Sequence, residues 1–258
     1  MPILIGDLLI NSNLEIYRSI ESEYFLRFNL PPLAFSNFDS CLRSLPPSNS
    51  TGVLSPFLFG SLEKYSADEN NRMNPSSPYA ASKASAELLV NSYAVTYGID
   101  TVITRCTNNY GPRQFPEKLI PKVIILAEQG KKIPVYGTGK NVRDWIHVDD
   151  HCDSITKVLL EGKSGSSYNI SASNEVDNIT IIKKILEIMD KSTDNIEFVN
   201  DRPGHDFRYS LDSTKTQKEL KWSPKVSFDE GLEKTVKWYM NNKEWWKNIS
   251  QETLVPKW

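Results

Sequence analysis

At 258 residues, with a formal net charge of −2 and a pI near 6.0, the chain is long enough to bury a sizeable core, as one large domain or two interleaved lobes. The balanced charge carries neither the footprint of a nucleic-acid binder nor a membrane-surface patch. The opening MPILIGDLLI is too short and too poor in basic residues for a signal peptide, and no apolar run approaches the ~18 residues of a membrane span. Cys41, Cys106 and Cys152 lie far apart without CxxC spacing and read as buried thiols in a reducing cytoplasm. His147 and His151 form an i,i+4 pair in HVDDH, but a third ligand is lacking, so capping or packing is expected and no metal site.

Composition changes sharply near residue 63. Every lysine lies at Lys64 or later, whereas the first stretch carries Pro31-Pro32, Pro46-Pro47 and many Ser, Phe and Leu residues. Proline pairs break helical patterns, so residues 1–60 are expected to be irregular. They read either as a divergent, loop-rich segment or as the product of a truncated or frame-disturbed gene.

From Ser61 onward the signals become orderly. Pro78 to Tyr97 predicts a long helix, with Ser76 or Ser77 at its cap and Gly98 past its end. TVITRC (Thr101–Cys106) is a β-branched run of strand length. A helix is expected from Pro121 to Gln129, then strands at KIPVYG and DWIHV, and a helix from Asp149 to Glu161. SYNISA predicts a strand, Ile179 to Lys191 a helix with apolar residues at helical spacing, and IEFV a short strand. Ser213 is placed to cap a helix reaching Leu220, and Ser227 with Glu230 has capping-box spacing. This alternation predicts an α/β protein with a mainly parallel sheet.

Tyr79 and Lys83, at i and i+4, share one helix face. An ammonium beside a phenol favours the phenolate, which suits a base working near neutral pH. The spacing alone is weak, because Tyr136/Lys140 and Tyr239/Lys243 repeat it; the first reads as a turn and the second as a solvated helix face. A dinucleotide loop needs G-x-G-x-x-G after a first strand. No such pattern occurs, and Gly137 with Gly139 in GTGKNV lacks the third glycine. Arg113, Arg143, Arg202 and Arg208, among asparagines and aromatics in three dense clusters, point to an anionic ligand, since guanidinium forks suit diphosphates.

At NPSSPYAASKAS, TRCTNNYGPRQFPEKLIP, PVYGTGKNVRDWIHVDDHC and DRPGHDFRY the chain resembles the dTDP-glucose 4,6-dehydratases, extended short-chain dehydrogenases/reductases acting on nucleotide sugars. The likeness runs from about Gly60 to Trp246, with a fainter echo in DLLIN, YRSIESEYFLRFNL and CLRS. It implies a partial Rossmann-like parallel sheet lacking its first β-α-β unit and glycine loop, with a smaller C-terminal substrate-binding lobe. Residues 1–107 would be the remnant of the NAD-binding domain. Residues 108–258 would be mainly the nucleotide-sugar lobe, with 143–170 returning to the Rossmann sheet.

The resemblance further implies NAD as cofactor and a dTDP-sugar as substrate. Tyr79 would be the base for hydride transfer, Lys83 the ribose contact, Asn109 a neighbour of the nicotinamide and Asn108 of the sugar. Lys118, Leu119, Ile120, Pro134, Val135, Tyr136, Arg143, Asn178, Asp201, Arg202 and His205 would hold the dTDP portion. The family reaction oxidises the sugar at C4, eliminates water across C5 and C6, and returns the hydride to C6. The family takes the acid and base for elimination from a Thr-Asp-Glu run. Here the matching stretch is LSPFLFG, with Ser55, Pro56 and Phe57 in those places. Removing one acid–base group costs ~10²–10⁴-fold in rate, so impaired catalysis is expected. Asp68 and Glu69 lie nearby in a loop context wrong for a substitute. The alternatives are a non-catalytic dTDP-sugar binder, a gene fragment, and an NAD-dependent sugar-nucleotide epimerase. Family members pair through a bundle that includes the tyrosine-bearing helix, which implies a homodimer.

Overall fold

The computed structural model describes residues 50–54, 56–62, 64–201 and 204–254. The proline pairs, Cys41, DLLIN, YRSIESEYFLRFNL, CLRS, Ser55 and Arg202 lie outside the described residues. Strand β1 (Ser50–Leu54) pairs in parallel with β2 (Thr101–Cys106), which pairs in parallel with β6 (Ser167–Ile170). β1 corrects the expectation that residues 1–60 form no regular element. Five-residue STGVL has little local signal, but β2 supplies a full parallel ladder from Thr101 to Arg105, and pairing decides strand formation more than propensity does.

Helix α1 (Pro78–Tyr97) follows the sequence expectation to the residue. Ser77 caps it, its side chain accepting from the Ala80 N–H, and Pro78 occupies the first turn, where its missing donor costs nothing. Gly98 ends it in the left-handed region at φ 65°, with its N–H returning to the Ala94 carbonyl.

Strand β3 (Asn108–Tyr110), not among the expected elements, pairs in parallel with β5 (Val142–His147). β5 also pairs antiparallel with β7 (Glu175–Asp177), another strand too short to signal itself. β4 (Ile133–Tyr136) pairs in parallel with β8 (Ile196–Val199). Helix α2 (Leu119–Glu128) starts two residues before the expected Pro121. Proline fits its first turn, where no intrahelical partner awaits the N–H. Helices α3 (Val148–Glu161) and α4 (Asn178–Ile188) match the expected helices within a few residues at their ends.

Helix α5 (Thr214–Leu220) forms as expected, but Ser213 makes no side-chain cap bond; its hydroxyl donates to the Ser171 carbonyl. In α6 (Phe228–Asn241) the Ser227 hydroxyl accepts from the Glu230 N–H, while the Glu230 carboxylate turns to Lys234 and leaves the capping box half-made. Tyr239 corrects a second reading. It is 0 % exposed rather than on a solvated face, and its hydroxyl donates to the Gln114 carbonyl.

The largest core lies where α2, α4 and α6 meet around Ile120, Ile124, Ile181, Ile185, Leu232 and Tyr239. A second core packs α3 and α5 on β2 and β6 through Val102, Val158, Tyr168 and Leu220. A third joins Leu58 and Phe59 to Ala84 and Leu211. No helix among the described residues is long and apolar enough to cross a membrane, and no group of three metal-ligating side chains occurs among them.

Candidate active site

The buried face of α1 is unusual in its chemistry. Ala80, Lys83, Ala84 and Glu87 form its buried residues, at i, i+3, i+4 and i+7. Alanines let the helix approach the sheet closely, but half of the stripe is charged, and buried charges are rare without a partner or a task. Glu87 has its partner: Arg105 on β2 donates through Nε at 3.0 Å and through Nη2, a fork on a carboxylate with both side chains buried. Arg105 also donates to the Glu69 carbonyl and lies over the Phe59 ring. Lys83 is 2 % exposed, and its ammonium lies 4.7 Å from the centre of the Tyr79 ring. Tyr79 is 42 % exposed, so the pair consists of a fixed buried cation beneath an accessible phenol.

Asn108 and Asn109 lie on β3. The Asn109 amide donates to Cys106 Sγ and to the Thr107 carbonyl, and its backbone carbonyl accepts from Gln114. Its Oδ1 is buried without a partner, as is Thr107 Oγ1 beside it. A buried unpaired acceptor costs about 1–3 kcal/mol, which makes Asn109 Oδ1 a costly atom to leave without a donor. Lys118 is the residue before α2, with extended backbone and no side-chain cap, which leaves the Leu119 and Ile120 amides without intrahelical partners. Ile120 and Val135 point their side chains into the large core, so only their backbone can meet a ligand.

The remaining expected residues form a connected belt. At the end of β4, Gly137 (φ 54°) brings the turn against Asp201; a Cβ there would lie 2.9 Å from Asp201 Oδ2. Asp201 is hydrogen-bonded at 2.6 Å to His205, whose side chain is 5 % exposed. Asn178 opens α4 and donates from its backbone to the Asn141 carbonyl. Arg143 on β5 donates to the Val142, Phe207 and Asp206 carbonyls and stacks 4.2 Å from the Tyr209 ring centre. Pro134 and Tyr136 lie half-buried on the face of β4 opposite Ile133 and Val135.

Arg208, one of the clustered arginines, is engaged by protein groups, as Arg143 is. It grips Glu175 with two bonds, at 2.7 and 2.6 Å, and donates to the Leu62 and Tyr65 carbonyls. Burial would raise the Glu175 carboxyl, but the hydrogen bonds from Arg208 and Ser210 outweigh it and hold the group below its ordinary value. Arg113 lies over the Trp238 ring. Asp68 and Glu69 are likewise engaged in turns and sheet: Asp68 accepts from the Asn70 N–H, and Glu69 from the Asn169 N–H. The stretch holding Pro56 and Phe57 forms a 3-10 turn, Pro56–Phe59, and neither residue type can exchange a proton.

Sequence reasoning missed Glu87, Arg105, Ser76 and Asp206. Glu87 had a signal, four residues after Lys83 on the same face; the other three are joined across 18 and 130 residues of chain, which no local pattern records. A shallow groove of about 190 Å³ between α4 and α6, lined by Lys184, Glu187, Asp229 and Leu232, includes none of these residues.

Residues 55–235 match the family model described as GDP-mannose 4,6 dehydratase. The chain is 46 % identical over 192 residues to a dTDP-glucose 4,6-dehydratase of Escherichia coli, covering 70 % of this chain and 53 % of that one. It is 47 % identical over 192 residues to one of Streptomyces niveus, covering 74 % and 57 %. The chain thus spans little more than half the length of these relatives. The structure superimposes on a dTDP-glucose 4,6-dehydratase of Streptomyces venezuelae, solved with NAD and TYD bound, with a TM-score of 0.77 at 43 % identity, over 78 % of this chain and 63 % of that one. With the family model matching most of its length and its fold shared with such an enzyme, the chain belongs to the GDP-mannose 4,6 dehydratase family.

Proposed function

We propose that this chain carries the hydride-transfer pair and the nucleotide-sugar clamp of a dTDP-glucose 4,6-dehydratase, with its elimination chemistry impaired. The observation that carries this reading is Lys83, buried against the sheet with its ammonium 4.7 Å from the ring of an accessible Tyr79. The names of the relatives support the substrate, and the NAD and TYD of the Streptomyces venezuelae structure support the ligands.

In this reading Tyr79 takes the proton from the sugar's C4 hydroxyl as the C4 hydride leaves, and C4 stays a ketone in the product. Lys83, held beneath, favours the charged phenol and reaches the cofactor ribose. NAD, when bound, supplies the hydride acceptor. The buried, unpaired Oδ1 of Asn109 fits the nicotinamide amide, so the residues present suit that end of the cofactor. The pyrophosphate end finds no glycine loop in the 258 residues. Asn108 would face the sugar. Lys118 with the Leu119 and Ile120 amides, Pro134 to Tyr136, Arg143, Asn178, Asp201, Arg202 and His205 would surround the dTDP moiety. Pro56 and Phe57, standing where the family has its carboxylates, leave elimination without an acid or base.

The division into a Rossmann remnant over 1–107 and a nucleotide-sugar lobe over 108–258, with 143–170 returning to the sheet, is supported by the separate cores around α2, α4, α6 and around β2, β6. A homodimer through α1 is supported by exposed Leu88, Leu89, Val95 and Tyr97 on that helix. Cys106, buried and outside any disulfide, suits a reducing cytoplasm.

The test incubates the purified chain with NAD and dTDP-glucose, follows the 4-keto-6-deoxy sugar, and titrates dTDP by calorimetry. The expected result is saturable dTDP binding with turnover at least ~10²-fold below an ordinary enzyme rate of ~10 s⁻¹. Product at ordinary rates would overturn the impairment, and absence of dTDP binding would overturn the nucleotide-sugar reading. A non-catalytic dTDP-sugar binder is the second reading, favoured by Pro56 and Phe57; it expects binding with no product at all.

A further inference from the structure

We infer that Asp206 is a positioning residue that latches the nucleotide clamp to the start of the helix bearing Tyr79. The inference rests on the function proposed above for its place in catalysis, and on geometry for its existence.

Asp206 is 8 % exposed, and its Oδ2 accepts from two hydroxyls, Ser76 at 2.7 Å and Tyr209 at 2.7 Å. Its backbone carbonyl accepts from Arg143 at 2.8 Å and Asn141 at 3.3 Å. One residue therefore joins two elements 130 positions apart in the chain. On one side stands the clamp: Arg143 stacked on Tyr209, and His205 bonded to Asp201. On the other stands Ser76, next to the cap Ser77 and three residues before Tyr79. Pro78 stiffens the span between them, because its ring fixes φ. Gly204, at φ 68°, lets the loop pass over this junction, with its Cβ position 3.6 Å from the Ser76 carbonyl.

A buried carboxylate solvated by two hydroxyls is an expensive way to hold a turn, since desolvating a charge costs more than desolvating an amide. Its gain is strength, because hydrogen bonds to a charged acceptor are roughly twice as strong as neutral ones. Arg143 and His205 are the groups expected to meet the dTDP phosphates and sugar. Any shift they make on capturing ligand passes through Asp206 to Ser76, and so to the first turn of α1. The latch would pass capture of the nucleotide on to the turn that carries Tyr79.

The experiment is hydrogen exchange on the full chain, wild type beside Ser76→Ala and Asp206→Asn, with and without dTDP. Coupling between two sites is reciprocal, so without ligand each substitution is expected to act on the opposite side. Ser76→Ala should speed exchange in residues 204–209, and Asp206→Asn should speed it at Ala80–Lys83, each about tenfold, the loss of a hydrogen bond to a charged group. Exchange at residues 89–97 should not move. With dTDP, wild type should slow in both segments, whereas Ser76→Ala should slow only in 204–209. Effects confined to each variant's own side, or equal acceleration along all of α1, would overturn the latch. Failure of dTDP to protect any segment would sink the nucleotide-sugar reading, while the ligand-free arm still decides the latch.

Discussion

Lys83 is 2 % exposed and directs its ammonium to within 4.7 Å of the centre of the Tyr79 ring, which is itself 42 % exposed. The depth of the cation and the accessibility of the phenol come from one helical turn. Residue 83 lies on the sheet-facing stripe with Ala80 and Ala84, and residue 79 at its margin. One turn further along the same stripe, Glu87 and Arg105 share a buried two-bond contact.

That contact gives a stability prediction. Arg105→Ala leaves the Glu87 carboxylate buried and uncompensated, which typically costs about 3–5 kcal/mol. Replacing both partners, Arg105→Met with Glu87→Leu, is expected to cost clearly less. Urea unfolding of the two proteins checks the order, and a double variant as unstable as the single one would show the pair is not a unit.

Arg143 and Arg208 are expected to divide by task. Arg208→Ala removes the contacts to Glu175, Leu62 and Tyr65 and is expected to lower the melting temperature while leaving dTDP affinity within about twofold. Arg143→Ala is expected to weaken dTDP binding by tenfold or more, the effect of losing a charge-assisted contact of about 1.5–3 kcal/mol. Calorimetry on both variants separates the roles.

Much of this is legible in the sequence. α1, β2 and β8 fell at the residues their patterns indicated, because cap chemistry and a β-branched run are written locally. β1, β3 and β7 were not legible, since STGVL, NNY and EVD carry little strand pattern of their own and gain their hydrogen bonds from partners far along the chain. The Tyr79–Lys83 pair was visible as spacing, but Tyr239–Lys243 had the same spacing and proved to lie partly in the core. What separates them is burial of the cation in one case and of the phenol in the other. The Asp206–Ser76 contact left no trace in sequence, because a single acidic residue in a loop does not declare its partner.

Burial sets a pH dependence on stability. It pushes His151 down to about 4 from an ordinary 6.5, and lowers His147 as well. The unfolded chain then binds protons that the folded chain refuses, so stability is fully present above about pH 6.5 and declines as pH falls toward 4. For His151 the gap corresponds to a loss of about 3 kcal/mol. Unfolding midpoints across pH 4 to 7 should show this slope in wild type and a shallower one in His151→Leu; identical slopes would contradict it.

Gly231 lies against Tyr110, where a Cβ would sit 2.3 Å from the phenol oxygen that donates to the Phe228 carbonyl. Gly231→Ala is expected to destabilise by about 1–3 kcal/mol through overpacking, despite alanine's better helix propensity. Thermal unfolding checks the sign, and stabilisation would show that α6 yields at this point.

A calorimetric titration of the intact chain with dTDP is the most direct test. One saturable site per chain is expected, with the heat strongly reduced in Arg143→Ala and retained in Arg208→Ala. Absence of saturable binding up to about 1 mM dTDP, weaker than about 4 kcal/mol of binding free energy, would contradict the nucleotide-sugar reading.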